Sequence, residues 1–418
     1  MIKIFKFPEL RKKIIFSIAI IAVFRLLAHV PVPGVDTSAI KSYLERSTFF
    51  GFFNLFSGGG FENFSVVTLG LGPYINASII LQLLTMLVKS LEELSKEGEY
   101  GQEKINTYTK FLTVPMALIQ SYGIYFLLSK QGIINTLGSV DLILLLLTFT
   151  AGSMFLVWLG QLVTEHGLGN GVSLLIFVSI ISRLPSSLMR AMTGIMSSNI
   201  YTTIVLAILI LVVIVGVVLV NEGVRNIPLE YGRRGERSEK VTNYLPIKIN
   251  QAGVISIIFA VSIVSIPSMV GGPFTASDNI KLQNIGNFLV NHFQSSSLLY
   301  NAVYFFMVVA FTFFYTFVQF NPDKISDDVK KRGGFIPGVR PGSSTAKYLK
   351  TIVLRITLAS SIFLGLIAIL PHFVQSFFGK NSLTIGGTSL LIAVSVILET
   401  VRQAQSLMVT RSYEKFLG

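Results

Sequence analysis

Ten stretches of this chain are long, apolar and almost free of charge, at about residues 14–30, 70–88, 111–128, 142–163, 172–189, 200–220, 252–270, 299–320, 351–370 and 386–400. Each is close to the roughly 20 residues that a helix needs to cross a bilayer core. In lipid every backbone N–H and C=O must find its partner within the chain, so runs like these are confined to helices. Only 13% of the 418 residues are charged, against about a quarter in a soluble domain. The expected fold class is an all-α integral membrane protein with ten transmembrane helices. The first run shows no small-residue cleavage site before the turn Pro31-Val-Pro-Gly34, so no removable signal peptide is expected. The absence of Cys excludes disulfides and thiolate metal sites.

The basic residues give an orientation. The N-terminus, the loops after spans 2, 4, 6 and 8 and the C-terminal tail hold 25 Lys and Arg, against 7 in the opposite set of loops. Both termini are therefore expected in the cytosol. The net charge of +13 is mostly this signature, and its spread over many loops explains the balance better than a nucleic-acid surface does. Ten spans divide into five and five, residues 1–187 and 188–418, with a hinge in the outer loop near Leu184 to Leu188. An odd number per half sends the halves in from opposite sides, as inverted repeats if they are related. Ile75-Asn-Ala-Ser-Ile-Ile in span 2 weakly echoes Ile249-Asn-Gln-Ala-Gly-Val-Ile at span 7.

Phe49 to Val88 is the unusual stretch. Phe49 to Ser65 is apolar but too broken by Gly and Ser to span, and it feeds Gly70 to Val88, which is long enough and uncharged. Such a pair is either an outer loop before an ordinary span or irregular backbone set into a membrane cavity. Within the span, Ile75, Ile79 and Gln82 share one helix face. The span runs outside to inside, so Gln82 falls roughly 10 Å cytosolic of Ile75. An apolar constriction opening on a polar vestibule follows from that spacing, although isoleucines more often face lipid or core.

Chemistry is sparse. Arg25 and Arg355 lie within spans, and Glu399 lies at the cytosolic end of the last; interfacial or structural pairing accounts for all three. An ion-coupled transporter needs ionisable residues deep in its helices, so a secondary solute transporter is the weaker alternative. His29, His166, His292 and His372 are scattered, and no HExxH or GxSxG motif occurs. Gly342-Ser-Ser-Thr-Ala-Lys347 lacks the Gly before Lys that a phosphate loop requires, and Gly167-Leu-Gly-Asn-Gly171 reads as a tight turn between spans 4 and 5. No enzyme is expected. Two loops, 221–251 and 321–351, are long and basic, which suits either a solvated positive-inside surface or a docking platform. Gly333-Gly-Phe-Ile-Pro-Gly-Val-Arg-Pro-Gly342 would hold Arg340 exposed at a tip.

Taken in order, the motifs resemble those of the SecY family, channel subunits of the bacterial protein translocase, over essentially the whole chain. They are Pro31-Val-Pro-Gly34, Phe53-Asn-Leu-Phe-Ser-Gly-Gly-Gly60, Gly72-Pro-Tyr-Ile-Asn-Ala-Ser-Ile-Ile-Leu-Gln82 and Lys96-Glu-Gly98. Gly167-Leu-Gly-Asn-Gly-Val-Ser173, Leu245-Pro-Ile-Lys-Ile-Asn250, Phe335-Ile-Pro-Gly-Val-Arg-Pro-Gly342 with Thr345-Ala-Lys-Tyr348, and Gly386-Gly-Thr-Ser-Leu390 complete the set. The resemblance implies two five-helix inverted halves around an hourglass pore with a short re-entrant plug helix at about 50–68. It implies a passive channel that passes unfolded secretory polypeptides and releases transmembrane segments sideways between spans 2–3 and 7–8.

By the same resemblance the pore ring falls on Ile75, Ile79, Val172, Ile176, Ile258 and Ile392. The plug takes in Leu55, Phe56, Ser57, Gly58, Gly59, Gly60, Phe61 and Phe64, and the lateral gate Ile80, Ser262 and Ile266. Docking falls on Arg340, Lys248 and, with a longer spacing to Pro246, Arg233 and Arg234. Implied partners are SecE, SecG, the SecA motor ATPase, the ribosome, unfolded preproteins with their signal sequences, and membrane lipid. No cofactor or metal is implied, and the expected location is the bacterial cell membrane.

Overall fold

The computed structural model describes residues 8–32, 57–130, 132–134, 137–182, 200–231, 243–275, 279–294, 297–378, 392–398, 400–402 and 405. In chain order the elements are α1 (Pro8–Leu27), α2 (Gly72–Leu87), α3 (Lys89–Lys96), α4 (Glu99–Lys130), α5 (Ser139–His166), α6 (Gly171–Ile181) and α7 (Ile200–Glu222). There follow β1 (Val224–Tyr231), β2 (Asn243–Lys248), α8 (Ile255–Thr275), α9 (Ile280–His292), α10 (Leu298–Gln319), α11 (Pro322–Lys331), β3 (Gly334–Phe335) and α12 (Ser343–Phe378). A last helical segment covers residues 392–398. Each apolar run of the sequence thus carries a helix. Among the described residues six helices are long and apolar enough to cross a membrane, and seven if α2 and α3 form one bent span.

Local chemistry sets the breaks. Pro73 opens α2 where a missing N–H is harmless. At Val88 the backbone turns extended (φ −107°, ψ 111°) and the axis bends by 101° into the short charged α3. The Val88 carbonyl accepts from both Leu91 and Glu92, which carries the chain through the bend into the first turn of α3. Within α3, Lys96 donates to Glu92 at 2.6 Å and holds that exposed carboxyl below the usual carboxylate range. Inside the long helices buried hydroxyls give their protons to the preceding turn, as Thr113 does to the Thr109 carbonyl (2.7 Å) and Ser121 to Ala117 (2.6 Å). Those bonds let polar side chains sit in an apolar interior.

The chain forms two compact units, one of residues 1–193, 265–300 and 396–418, the other of 194–264 and 301–395. In the first unit the segment from Ser57 to Leu71 runs as successive turns, and Phe61, Phe64 and Leu69 pack with Ala117, Ile124, Tyr125 and Leu128 of α4 and Leu145 and Phe149 of α5. Phe64 meets Phe149 edge-on, with ring centres 5.1 Å apart. Between apolar helices in lipid, close van der Waals packing is the main cohesive term, and small residues permit it. Gly152 of α5 lies against the Val66 carbonyl, and Gly171 of α6 against the Gly160 carbonyl of α5, each too close to admit a Cβ.

In the second unit the described parts of the two long basic loops form one folded platform. β1 pairs antiparallel with β2 on one edge and with β3 on the other, giving the order β2-β1-β3. Its core is Ile227, Leu229, Ile247, Val329, Ile336, Leu349 and Val353, drawn from both loops and from the start of α12. Leu349 is fully buried there, so Leu349→Ala is expected to destabilise the platform by about 2–5 kcal/mol. Hydrogen exchange should report faster opening of β1 and β3 together; faster exchange in α12 alone would refute a shared core.

Candidate functional site

The expected ring residues sit on four helices. Ile75 and Ile79 are one turn apart on α2 and only 8% and 4% exposed. Val172 and Ile176 are one turn apart on α6, the first half-buried and the second 4% exposed. α6 is started by Asn170, whose side chain accepts from the Ser173 N–H at 3.1 Å, and Gly171 donates to Thr164 of α5 at 2.9 Å. The glycine-rich turn is also tied to α1, since Leu168 donates to Ser17 at 3.1 Å. Gly169 takes φ +84° to close it.

Ile258 of α8 and Ile392 of the last helical segment belong to the second unit and are both buried. One polar cluster positions them. Asn250 donates to Asn221 at the end of α7 (2.7 Å), and Asn221 donates to Ser395, three residues beyond Ile392 (2.7 Å). The Asn250 side chain also accepts from Gly253 at 3.0 Å, shaping the entry to α8. The sequence motif Leu245 to Asn250 pointed to this place, but its partners Asn221 and Ser395 carried no local signal.

Of the expected gate residues, Ile80 on α2 is half-buried and Ile266 on α8 is 51% exposed. Ser262, half-buried, donates back to the Ile258 carbonyl at 2.8 Å. Gln82, one turn beyond Ile79, is half-buried and its Nε2 donates to Ser78 at 3.4 Å.

Leu55 and Phe56 of the expected plug lie outside the described residues. Ser57 is fully buried, and its Oγ accepts from Phe61 N–H at 3.0 Å. Gly58 and Gly59 take φ +64° and +89°, conformations open to glycine. Phe61 and Phe64 are fully buried in the first unit's core. The segment is bonded to α1 and the residues after it. Arg25 Nη1 donates to the Gly58 carbonyl at 2.7 Å, and Asn63 Nδ2 to the Ala28 carbonyl at 3.2 Å. Val32 N–H donates to Phe64 (2.9 Å) and Val66 N–H to Val30 (3.2 Å). Arg25 thus has a structural partner, a main-chain carbonyl.

On the platform Arg340 is exposed in the turn between β3 and α12. Its carbonyl accepts from Thr345 at 2.9 Å, and Ser326 of α11 donates to Gly342 at 2.7 Å, so the turn is fixed from both sides. Lys248 is exposed at the end of β2, opposite Val224. Arg233 and Arg234 lie outside the described residues. Among the described residues none of the exposed cations Arg225, Lys248, Lys330, Arg332, Arg340 and Lys347 forms an ion pair.

This helical architecture is that of solved protein-conducting channels. A SecY structure described as one whose plug domain stabilises the closed translocation channel and maintains a membrane seal superposes with a TM-score of 0.70, at 19% identity, covering 96% of this chain and 93% of that one. Sec61 from the canine ribosome–channel complex of the endoplasmic reticulum matches with a TM-score of 0.61 at 18% identity, covering 96% and 93%. In sequence, the SecY family profile matches residues 65–401. The protein translocase subunit SecY of Corynebacterium glutamicum is 41% identical over 442 residues, covering all of this chain and 99% of its own. The chain belongs to the SecY family. It is a multi-pass membrane protein.

Proposed function

We propose that this chain is a passive protein-conducting channel that passes unfolded secretory polypeptides across the bacterial cell membrane and releases transmembrane segments sideways into lipid. The observation that carries this reading is the Ser57–Leu71 segment, an irregular, buried insertion running straight into α2 with its paired Ile75 and Ile79. Irregular backbone at membrane depth is tolerated where protein buries it or where it lines a cavity. The halves 1–187 and 188–418 form the two sides of the channel. Ile75, Ile79, Val172, Ile176, Ile258 and Ile392 make its apolar ring, and Ile80, Ser262 and Ile266 belong to the sideways gate. An apolar ring blocks ions by dewetting, while aliphatic side chains yield to a passing chain.

The termini and the basic platform face the cytosol, as the 25 to 7 split of basic residues supports. The SecA motor ATPase or the ribosome docks there on Arg340, Lys248, Arg233 and Arg234, and SecE and SecG accompany the chain in the membrane. This chain supplies a conduit and a docking face, and its partners supply the energy.

Ile79→Asn or Ile258→Asn places an amide in the ring and wets it. Export of a precursor with a defective signal sequence is expected to rise about tenfold or more, because a bias of roughly 1.4 kcal/mol toward the open state suffices for tenfold. Export at background from normally assembled complex would refute the ring assignment.

A further inference from the structure

We propose that α9 is an interfacial helix that grips the phospholipid layer at the end of α8, with an apolar row in the acyl chains and Lys281 on the phosphates. On the orientation proposed above this is the outer leaflet; the lipid contact itself does not rest on that orientation. α9 has 13 residues and falls between the seventh and eighth apolar runs of the sequence, and it is too short to cross a bilayer. Packing fixes its level. The apolar span of α8 closes at Gly272, and α9 is pressed onto that end. Gly286 brings its backbone against Phe274 and Thr275, so that a Cβ there would stand 2.5 Å from the Thr275 nitrogen. One at Gly271 would stand 2.7 Å from Leu289. Gly272 in turn lies against Leu127, in the last turn of α4. All of these residues belong to the first unit. α9 therefore sits where two membrane helices end, at the depth of the headgroups.

Helical spacing sorts the rest of α9 into two rows. Leu282, Ile285 and Phe288 form one and are exposed, Ile285 at 50% and Phe288 at 54%. Asn284, Asn287 and Asn291, with Gln283 beside them, form the other and are exposed as well. Ile280, the first residue of the helix, is the apolar exception on that polar side. Lys281 and His292 stand at the two ends of the apolar row, one turn before Ile285 and one turn after Phe288, and α9 carries no acidic residue. The His292 ring stacks on Phe288 with centres 4.3 Å apart. Among the described residues Lys281 forms no ion pair. Water suits the amide row but penalises large apolar side chains in line. A lipid surface accepts both rows at once, since apolar groups enter the acyl boundary while amides stay in water. A lysine beside the apolar row extends its stem along the chains and delivers its ammonium to the phosphates. Because α9 joins α8 to α10, the grip restrains the ends of both helices.

The chain has no Cys of its own, so single Cys substitutions along α9 can carry a fluorescent label in the purified complex. The complex is placed in phospholipid vesicles containing phosphatidylglycerol, with no other protein. Labels at Leu282→Cys, Ile285→Cys and Phe288→Cys are expected to be quenched by lipids brominated near the glycerol end of the acyl chain. They should be about tenfold less open to an aqueous quencher than labels at Asn284→Cys and Asn291→Cys, as burial of one large apolar side chain provides. Lys281→Glu should open the label at position 288 to the aqueous quencher about fivefold, the worth of one cation at an anionic surface, and Lys281→Arg should not. Equal exposure of the two rows overturns the proposal. So does protection without quenching by brominated lipid, the mark of a protein cover, and so does a Lys281→Glu variant that behaves as Lys281→Arg does. The leaflet is read separately, because an impermeant maleimide should reach Asn291→Cys in right-side-out vesicles and not in sealed inverted ones. The reverse result overturns the orientation proposed above, while the quenching pattern still decides the lipid contact.

Discussion

Replacing Arg340 by Glu is expected to lower motor-driven precursor export about tenfold or more, while the protein accumulates in the membrane at its normal level. The turn that carries Arg340 is shaped by main-chain geometry. Gly338 and Gly342 take φ +80° and +98°, and Thr345 and Ser326 bond to carbonyls within it. The Arg340 side chain is exposed and forms no ion pair among the described residues, so its loss leaves the turn intact. Surface substitutions of that kind usually change stability by under about 0.5 kcal/mol. At a docking face the same exchange turns attraction into repulsion, and truncating one partner of a buried charge pair alone costs about 2–5 kcal/mol. Arg340→Lys keeps the charge and loses the planar fork, so it should fall between. Export from purified vesicles, set beside the amount of assembled complex, separates the two effects. Equal loss of both would make Arg340 a folding residue.

Gly152→Val is expected to be the most damaging of these substitutions to the protein itself, at about 3 kcal/mol or more. A Cβ at this position runs into the Val66 carbonyl, and neither side has room to withdraw. Val66 is held by its bond to Val30, and the neighbouring Ser153 donates to Gly70 at 3.0 Å. Overpacking a well-filled interior costs about 1–3 kcal/mol even where the neighbours relax; here the obstacle is backbone. Thermal unfolding in detergent should show a lower midpoint and early proteolysis of the α4–α5 region. Gly152→Ala should show a smaller shift of the same sign. An unchanged midpoint for the valine variant would mean that α5 has slack that this packing lacks.

The membrane helices were legible because an uncharged run of the right length has almost no alternative conformation in lipid. The platform was not. Ile227 and Leu229 alternate as a half-buried strand should, and Leu245 and Ile247 do the same, but each pattern is short and interrupted by Pro228 and Pro246. β3 has two residues and reaches its partner from about a hundred positions away, and pairing over that distance leaves no periodic trace. Arg25 was readable as a residue in need of a partner; that the partner is the Gly58 carbonyl was not, since any residue offers a carbonyl. By the family resemblance Phe61 and Phe64 fell within the expected plug. Their burial with α4 and α5 becomes visible only when the helices are packed.

The sheet order β2-β1-β3 has a mechanical consequence. β1 begins two residues after α7 ends, Ile249 just beyond β2 donates to Gly223 at 2.8 Å, and the Arg340 turn leads directly from β3 into α12. Separate flexible loops would absorb a push as chain entropy. A three-stranded sheet over a common core is a stiff handle instead. Work done on it at one point is delivered together to the roots of α7, α8 and α12, so in the docking proposed above a partner held at the Arg340 turn gains leverage on three membrane helices at once.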